Sequence, residues 1–435
     1  MQDHIETSIN AGFNTLQFIR WIILSTITGL GIGLVAIAFN FDMSFVNRIR
    51  TENPWLLLCL PFAGLAIIGL YRLFNYEKNK GTDEIVEGIQ NHKYIPLRMA
   101  ILIFVSTILT VLCGGSVGRE GAAVQIGGSL GKQLGERFNR LSDRFGNRWA
   151  FLRFNDMDQK LLLMSGVAAA FSALFGTPLA AAFLALEMAN VGIMFYPALV
   201  PCVWSSIVAH LLATHFDAPV DHLHILGETG MNLPFSLHTL VLAVLCALVS
   251  MLFCTCVHGA KHKLAHLIKN PFLRVFLGGV AVILMTVLLW SDDYLGPGMN
   301  LVEAALEGHV IPMAFLLKIL FTAVTIGTGF KGGEIVPSFA TGATFGVLYG
   351  SLLGVNPSLC AALGMIAVFC GVTNCPITAL LIGLELFGFD YAPYFLIAVA
   401  VSYMMSGSFS LYHSQKIVHA KIEKLTLFTE EEEEE

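Results

Sequence analysis

Two carboxylates stand inside glycine-rich breaks of otherwise apolar sequence. Glu120 belongs to Gly114-Gly115-Ser116-Val117-Gly118-Arg119-Glu120-Gly121, and Glu334 to Gly329-Phe330-Lys331-Gly332-Gly333-Glu334-Ile335-Val336-Pro337. The first break should restart a helix at about Ala122, and the second should behave in the same way. The first amides of a restarted helix lack intrahelical partners and carry the positive end of its dipole, so each break offers an anion site built from backbone. A carboxylate beside such a site competes with the anion. Ionised, Glu120 takes the anion's place; protonated, it gives that place up, which couples the anion to a proton. Glu334 reads either as a second titratable group or as a buried acid that pins the backbone, and Arg119 either as an anion ligand or as a structural partner of nearby carboxylates and carbonyls.

The elements that position these groups lie in lipid. Of 435 residues, 55% are hydrophobic and 13% charged, against roughly 25% charged in a soluble domain. Uncharged runs recur at Trp21 to Phe41, Met99 to Gly118, Leu161 to Leu186, the stretch to Trp290 after Arg274, and Ile335 to Leu384. They amount to about ten membrane segments or more. The first run follows Asp3, Glu6 and the single basic residue Arg20, with no small-residue cleavage site, and so reads as a span rather than a leader. Ionisable groups at membrane depth are functional by default, and glycine-rich backbone survives there only beside protein or a water-filled cavity.

The sequence repeats itself. Gly166-Val167-Ala168-Ala169-Ala170-Phe171, Pro178 and Glu187 recur as Gly364-Met365-Ile366-Ala367-Val368-Phe369, Pro376 and Glu385, at a constant offset of 198. Gly115, Gly118, Glu120 and Gly128 match Gly329, Gly332, Glu334 and Gly342 at an offset of 214, which leaves 16 extra residues between the motifs of the first half. The linker that contains them, from Lys132 to Lys160, also carries Arg137, Arg140, Arg144, Arg148 and Arg153, whereas its counterpart from Gly346 to Gly364 has no Lys or Arg. By the positive-inside rule the first linker is cytoplasmic and the second external. The halves are then inverted copies, which places a binding site near the midplane where they meet.

Gly118-Arg119-Glu120-Gly121 followed by Val124-Gln125-Ile126-Gly127-Gly128 is similar to the strongest signature of the chloride channel (CLC) family, in which the glutamate is the gate. Gly332-Gly333-Glu334-Ile335-Val336-Pro337 resembles a further signature of that family, and Tyr412, within Ser410-Leu411-Tyr412, matches its late tyrosine. The likeness runs from roughly Trp21 to Gln415. It implies an all-α polytopic membrane protein of two inverted repeats whose broken helices meet at a midplane anion site. It also implies anion contacts from Gly118, Arg119, Gly121, Ile335, Val336, the Tyr412 hydroxyl and the Gly81-Thr82 turn, with proton coupling through Glu120 and Glu334. No cofactor is implied. The partners are a small inorganic anion, the proton, the bilayer of a bacterial inner membrane and a second copy of the chain in a homodimer.

Three positions depart from the chloride-type pattern. Lys80-Gly81-Thr82-Asp83 lacks the serine and proline of the chloride motif, although Thr82 still offers a hydroxyl. Met188 stands where chloride/proton exchangers carry an inner relay glutamate, with Glu187 one position early, and Ala122 replaces a usual proline. The first two departures, with Phe330-Lys331-Gly332-Gly333-Glu334, resemble the fluoride-exporting branch, in which Thr or Ser is usual where Ala122 stands. Fluoride/proton antiport and chloride transport, by channel or antiporter, therefore remain the two readings, with another anion behind them.

Other classes fit less well. No His-Glu-x-x-His occurs, and no nucleophile is paired with a base, so an intramembrane enzyme is not expected. Gly127-Gly128-Ser129-Leu130-Gly131-Lys132-Gln133 resembles a phosphate loop with one residue too few and Gln133 in place of the magnesium ligand; it reads as a helix packing face. The nine cysteines read as packing residues, and His222 and His224 as a solvated loop. Residues 1–20 read as a cytoplasmic segment and 21–415 as the transport domain, with repeats at about 55–215 and 233–412. Residues 416–435 read as a cytoplasmic tail with a disordered acidic end, Glu430 to Glu435, and no regulatory domain; neither nucleotide nor nucleic acid is an expected partner.

Overall fold

A computed structural model describes residues 2–91, 93–145, 153–221, 223–227 and 230–421. Arg148, His222, Lys424 and the acidic run at Glu430 to Glu435 lie outside the described residues. The first helix, α1 (Gln2–Glu52), begins well upstream of Trp21, so the segment expected to precede the membrane is continuous with the first span. Leu16, Ile19, Ile23, Ile27, Leu30 and Leu34 are exposed along it at helical spacing, the pattern of a face turned to lipid. Six described helices are long and apolar enough to cross a membrane, and six more apolar helices are only 10–17 residues long. Five of the short ones flank the glycine- or proline-centred breaks: Leu97–Leu112, Pro178–Glu187, Ala314–Thr328, Pro357–Thr373 and Pro376–Phe387.

The repeat is visible element by element. In the first half α4 (Leu97–Leu112), α5 (Glu120–Phe145), α6 (Asp156–Phe175) and α7 (Pro178–Glu187) follow one another. Their counterparts are α12 (Ala314–Thr328), α13 (Ile335–Leu353), α14 (Pro357–Thr373) and α15 (Pro376–Phe387). The break before each proline has one backbone shape: Gly176 and Asn374 are left-handed at φ 72° and 57°, and Thr177 and Cys375 follow at φ −114° and −115°. α5 crosses α6, and α13 crosses α14, at glycines. A Cβ on Gly127 or Gly166 would collide with the other's carbonyl, and Gly342 and Gly364 stand in the same relation. The phosphate-loop-like run is thus a packing face, with the Lys132 ammonium spent on Gln159 Oε1 at 2.7 Å.

The two halves are also tied by carboxylates. Glu187, at the end of α7, accepts from the amides of Ile377 (3.1 Å) and Thr378 (2.9 Å) and from the Thr378 hydroxyl (2.6 Å) at the start of α15. Glu385, its mate at the offset of 198, accepts from the Leu179 and Ala180 amides at the start of α7, both at 2.9 Å. Each caps the other's helix, where a negative charge meets free amides and the positive dipole end.

α5 and α13 start where the halves meet and run apart. The linker after α5 therefore lies on one side, with the connection before α4, to which Ser129 and Gln133 donate at Pro96 O and Ile95 O. The loop at Asn356 lies on the other, bonded to Leu226 O. The linker side, expected from its charge to be cytoplasmic, is called inner below.

Candidate functional site

The two glycine-rich breaks touch. Gly118 and Gly333 exchange both backbone hydrogen bonds at 2.7 Å, joining the halves by a single antiparallel bridge. The approach admits no side chain: a Cβ on Gly333 would stand 2.5 Å from the Gly121 nitrogen. The helix starts expected from the sequence therefore do converge.

Glu120 lies above this junction and is 1% exposed. Its Oε1 is 3.4 Å from Arg119 Nε, and its Oε2 has no hydrogen-bond partner among the described residues. Oε2 rests over Gly118, where a Cβ would meet it at 2.5 Å and Val336 Cβ at 3.2 Å. The carboxylate thus occupies the space between the two helix starts. The Arg119 guanidinium is engaged by Asn40 Oδ1 (2.7 Å) and Asp221 Oδ2 (2.8 Å) as well as by Glu120, an arrangement that suits a positioning role. Asn40 in turn donates to Pro219 O at 2.8 Å, so α1 and the Asp221 loop hold the arginine from the outer side.

Below the junction is a cavity of about 650 Å³, walled in part by the turn at Gly81 to Asp83 that leads towards the Pro96 connection on the inner side, and called the inner cavity. Gly81, Thr82, Gly121, Gln125, Glu334, Ile335 and Tyr412 line it, together with the basic residues Arg72, Lys80, Lys261, Arg274 and Lys331. Six sequence-derived candidates thus share one space, while Gly118, Arg119, Glu120 and Val336 are not among its lining residues. The two titratable groups face opposite ways, Glu120 outward beside Arg119 and Asp221, Glu334 inward.

Each donor is held by identifiable local chemistry. Thr82 opens α3 (Thr82–Asn91) after Gly81, whose φ of 68° suits glycine. The Thr82 hydroxyl accepts from Gln125 Nε2 at 3.4 Å, which leaves its proton free. The Tyr412 hydroxyl is buried without a partner among the described residues. Its segment follows α16 (Ala392–Met405) and is pinned on both sides of the tyrosine, by Leu411 N to Val372 O at 2.8 Å and Ser414 N to Asp83 Oδ1 at 2.9 Å. Beyond it, Lys416–Ile417 pairs in parallel with Asn190–Val191, and Lys421 docks on Asn374 and on Ser406 Oγ. The first residues of the expected tail are therefore a strap against the domain. On α3, salt links from Lys80 (2.5 Å) and Lys93 (2.7 Å) hold the Glu87 carboxyl down at about 2, and Glu87 also accepts from Ser414 Oγ.

Lys318 was missed by the sequence reasoning, although it is the one basic residue in the apolar run from Ala314 to Gly329. It is fully buried and donates to Ser116 Oγ (3.0 Å), Tyr294 O (3.1 Å) and Gly296 O (2.8 Å), fixing the backbone just before Gly118.

The family described as voltage gated chloride channel matches residues 63–407. The chain belongs to the CLC family. It is an integral membrane protein of a family of anion channels and antiporters. A "Chloride/fluoride channel protein" of Pseudomonas syringae pv. tomato is 34% identical over 413 residues, covering 92% of this chain and 87% of the relative. An "H(+)/Cl(-) exchange transporter ClcA" of Vibrio vulnificus is 25% identical over 84% of this chain and 81% of its own length. Among solved structures, that of a CLC-type fluoride/proton antiporter superposes with a TM-score of 0.84 at 32% identity, over 92% of this chain and 99% of the other. A slow cyanobacterial Cl-/H+ antiporter, at 18% identity and a TM-score of 0.73 over 89% of this chain and 94% of the other, shares the fold.

Within this CLC fold the departures have physical outcomes. Met188 is fully buried, and its carbonyl accepts from Gln415 Nε2 at 3.2 Å. Glu187 points at the start of α15 and does not line the inner cavity.

Proposed function

We propose that this CLC protein is a fluoride/proton antiporter in which Glu120 is the gate. The observation that carries the reading is the Glu120 carboxylate lying over Gly118 between two helix starts, with Glu334 on the cavity side of the same junction. An ionised carboxylate there competes with a small anion for the same amides, and a protonated one does not, so each anion that enters requires a proton on the gate. Gly121, Ile335, Val336, Thr82 and Tyr412 then supply the donors along the path, while Arg119 holds the gate loop; Gly118, expected from the sequence to contact the anion, spends its amide on Gly333 O instead. Fluoride is favoured by the missing serine and proline at Lys80 to Asp83 and by the likeness to the chloride/fluoride and fluoride/proton proteins. A small, strongly hydrated ion needs short, strong donors at close range. A homodimer with one pathway per subunit and no catalytic chemistry completes the reading.

Chloride/proton exchange is the second reading, favoured by the free Thr82 hydroxyl on the cavity wall. Liposomes loaded with fluoride or chloride distinguish the two, with efflux followed by ion-selective electrodes and proton movement by external pH. Fluoride is expected to leave faster and to drive protons in the opposite direction, and Glu120→Gln is expected to abolish the proton movement. Chloride efflux as fast as fluoride replaces the first reading by the second. Undiminished proton pumping by Glu120→Gln removes the gate assignment.

A further inference from the structure

One imidazole lines the inner cavity and a second stacks against it. His258, on α9 (Leu233–Leu267), and His413, next to Tyr412, have ring centroids 3.8 Å apart at an interplanar angle of 43°. His258 Nε2 is 2.8 Å from Ser410 O. A carbonyl only accepts, so Nε2 carries the hydrogen and the lone pair of the neutral ring is on Nδ1. That Nδ1 is buried and has no partner among the described residues, while His258 lines the cavity it shares with Glu334, Thr82 and Tyr412. His413, its neighbour, is exposed to solvent.

We propose that the His258–His413 pair is the inner proton-exchange group of the transport cycle. The inference rests on the antiport reading and goes beyond it by naming where protons enter from the inner solution. A proton leaves a hydronium ion or buffer acid, bonds to the exposed His413 ring and passes from it to Nδ1 of His258. It then passes to cavity water and from there to the Glu334 carboxylate, restoring the neutral ring. Two stacked imidazolium ions repel each other, so the pair holds one proton at a time. The charged groups facing the pair are Lys261, one turn on along α9, and Asp83 on α3, with Glu334 and Tyr412 across the cavity. Imidazole is the side chain that exchanges protons near neutrality. Its use here is kinetic: direct capture of a free proton, at a diffusion limit of roughly 10¹⁰ M⁻¹s⁻¹, delivers only about 10³ per second at pH 7 and tenfold fewer for each unit above it.

The test uses full-length protein in liposomes with fluoride and proton fluxes recorded together while the inner pH is varied from 6 to 8. His258→Gln keeps an N–H for Ser410 O and removes the titratable lone pair. The coupled rate of His258→Gln is expected to fall about tenfold per pH unit above neutrality while the parent rate changes little, and imidazole added inside the liposomes is expected to restore it. His413→Gln should show the same trend more weakly. An inner-pH profile of His258→Gln identical to the parent's overturns the proposal, as does a loss of rate that imidazole fails to restore in a protein that melts like the parent. Absence of proton movement in the parent is a different result, which refutes the antiport reading itself.

Discussion

Replacing Tyr412 by Phe removes one oxygen from the cavity wall and nothing else. The hydroxyl is buried, has no partner among the described residues and sits in a segment pinned independently at Leu411 and Ser414. If it donates to the anion, its loss costs one hydrogen bond to a charged group, about 1.5–3 kcal/mol. At 1.4 kcal/mol per factor of ten, anion affinity should fall about ten- to hundredfold. The anion-free protein should behave oppositely, because a buried hydroxyl without a partner contributes nothing to the fold and deleting it relieves a desolvation cost. Calorimetric titration of the purified protein with fluoride gives the first quantity, and melting in anion-free buffer gives the second. Unchanged affinity within a factor of two refutes the role as ligand. A melting temperature several degrees lower without anion refutes the structural premise, since the hydroxyl would then be bonded within the fold.

The reciprocal caps make Glu187→Gln and Glu385→Gln destabilising by about 2–4 kcal/mol each, from lost charge-assisted bonds and the helix dipole; denaturation in detergent checks this, and variants as stable as the parent would contradict it. Because Glu87 is held at about 2, below its ordinary 4.5, its contribution is fully present above pH 4.5 and is lost as pH falls towards 2. The melting curves of the parent and Glu87→Gln should therefore differ at neutral pH and converge in strong acid. Single cysteines at Arg144 and Asn356, in a background with the nine native cysteines replaced, should label from opposite sides of the membrane. Labelling from one side would end the inverted-repeat topology.

What the sequence made legible was whatever repeats or interrupts. The offset of 198 identified the break before Pro178 and Pro376 because both copies need one backbone shape, and the structure gives nearly equal dihedral angles there. The glycine motifs were legible because backbone at that distance admits no Cβ. Partners distant in sequence were not legible. Nothing local joins Arg119 to Asn40 and Asp221, or Lys318 to Ser116, since those pairings exist only once α1 and α12 pack against the first break. Glu187 was seen as a carboxylate near the missing relay position; only the fold turns it towards α15. His258 carried no signal among thirteen histidines, because its meaning comes from His413, which lies in a segment that returns to α9 after α16.

Under the antiport reading, the junction brings proton and anion exchange to one place. Gly118 and Gly333 spend their amides on each other, so the free amides of the first helix start are those that follow, at Arg119 and Glu120. Oε2 of Glu120 lies over Gly118 at this same helix start. A buried amide left without an acceptor costs about 1–3 kcal/mol, so under the antiport reading the carboxylate cannot leave cheaply unless an anion arrives, and the anion cannot stay unless the carboxylate has left. Protonation settles the exchange, since a neutral carboxyl is the poorer acceptor and a bound anion the better one. The gate is then a substitution at fixed donors rather than a hinge. For that reason its failure should appear in Glu120→Gln as loss of proton coupling with anion passage retained.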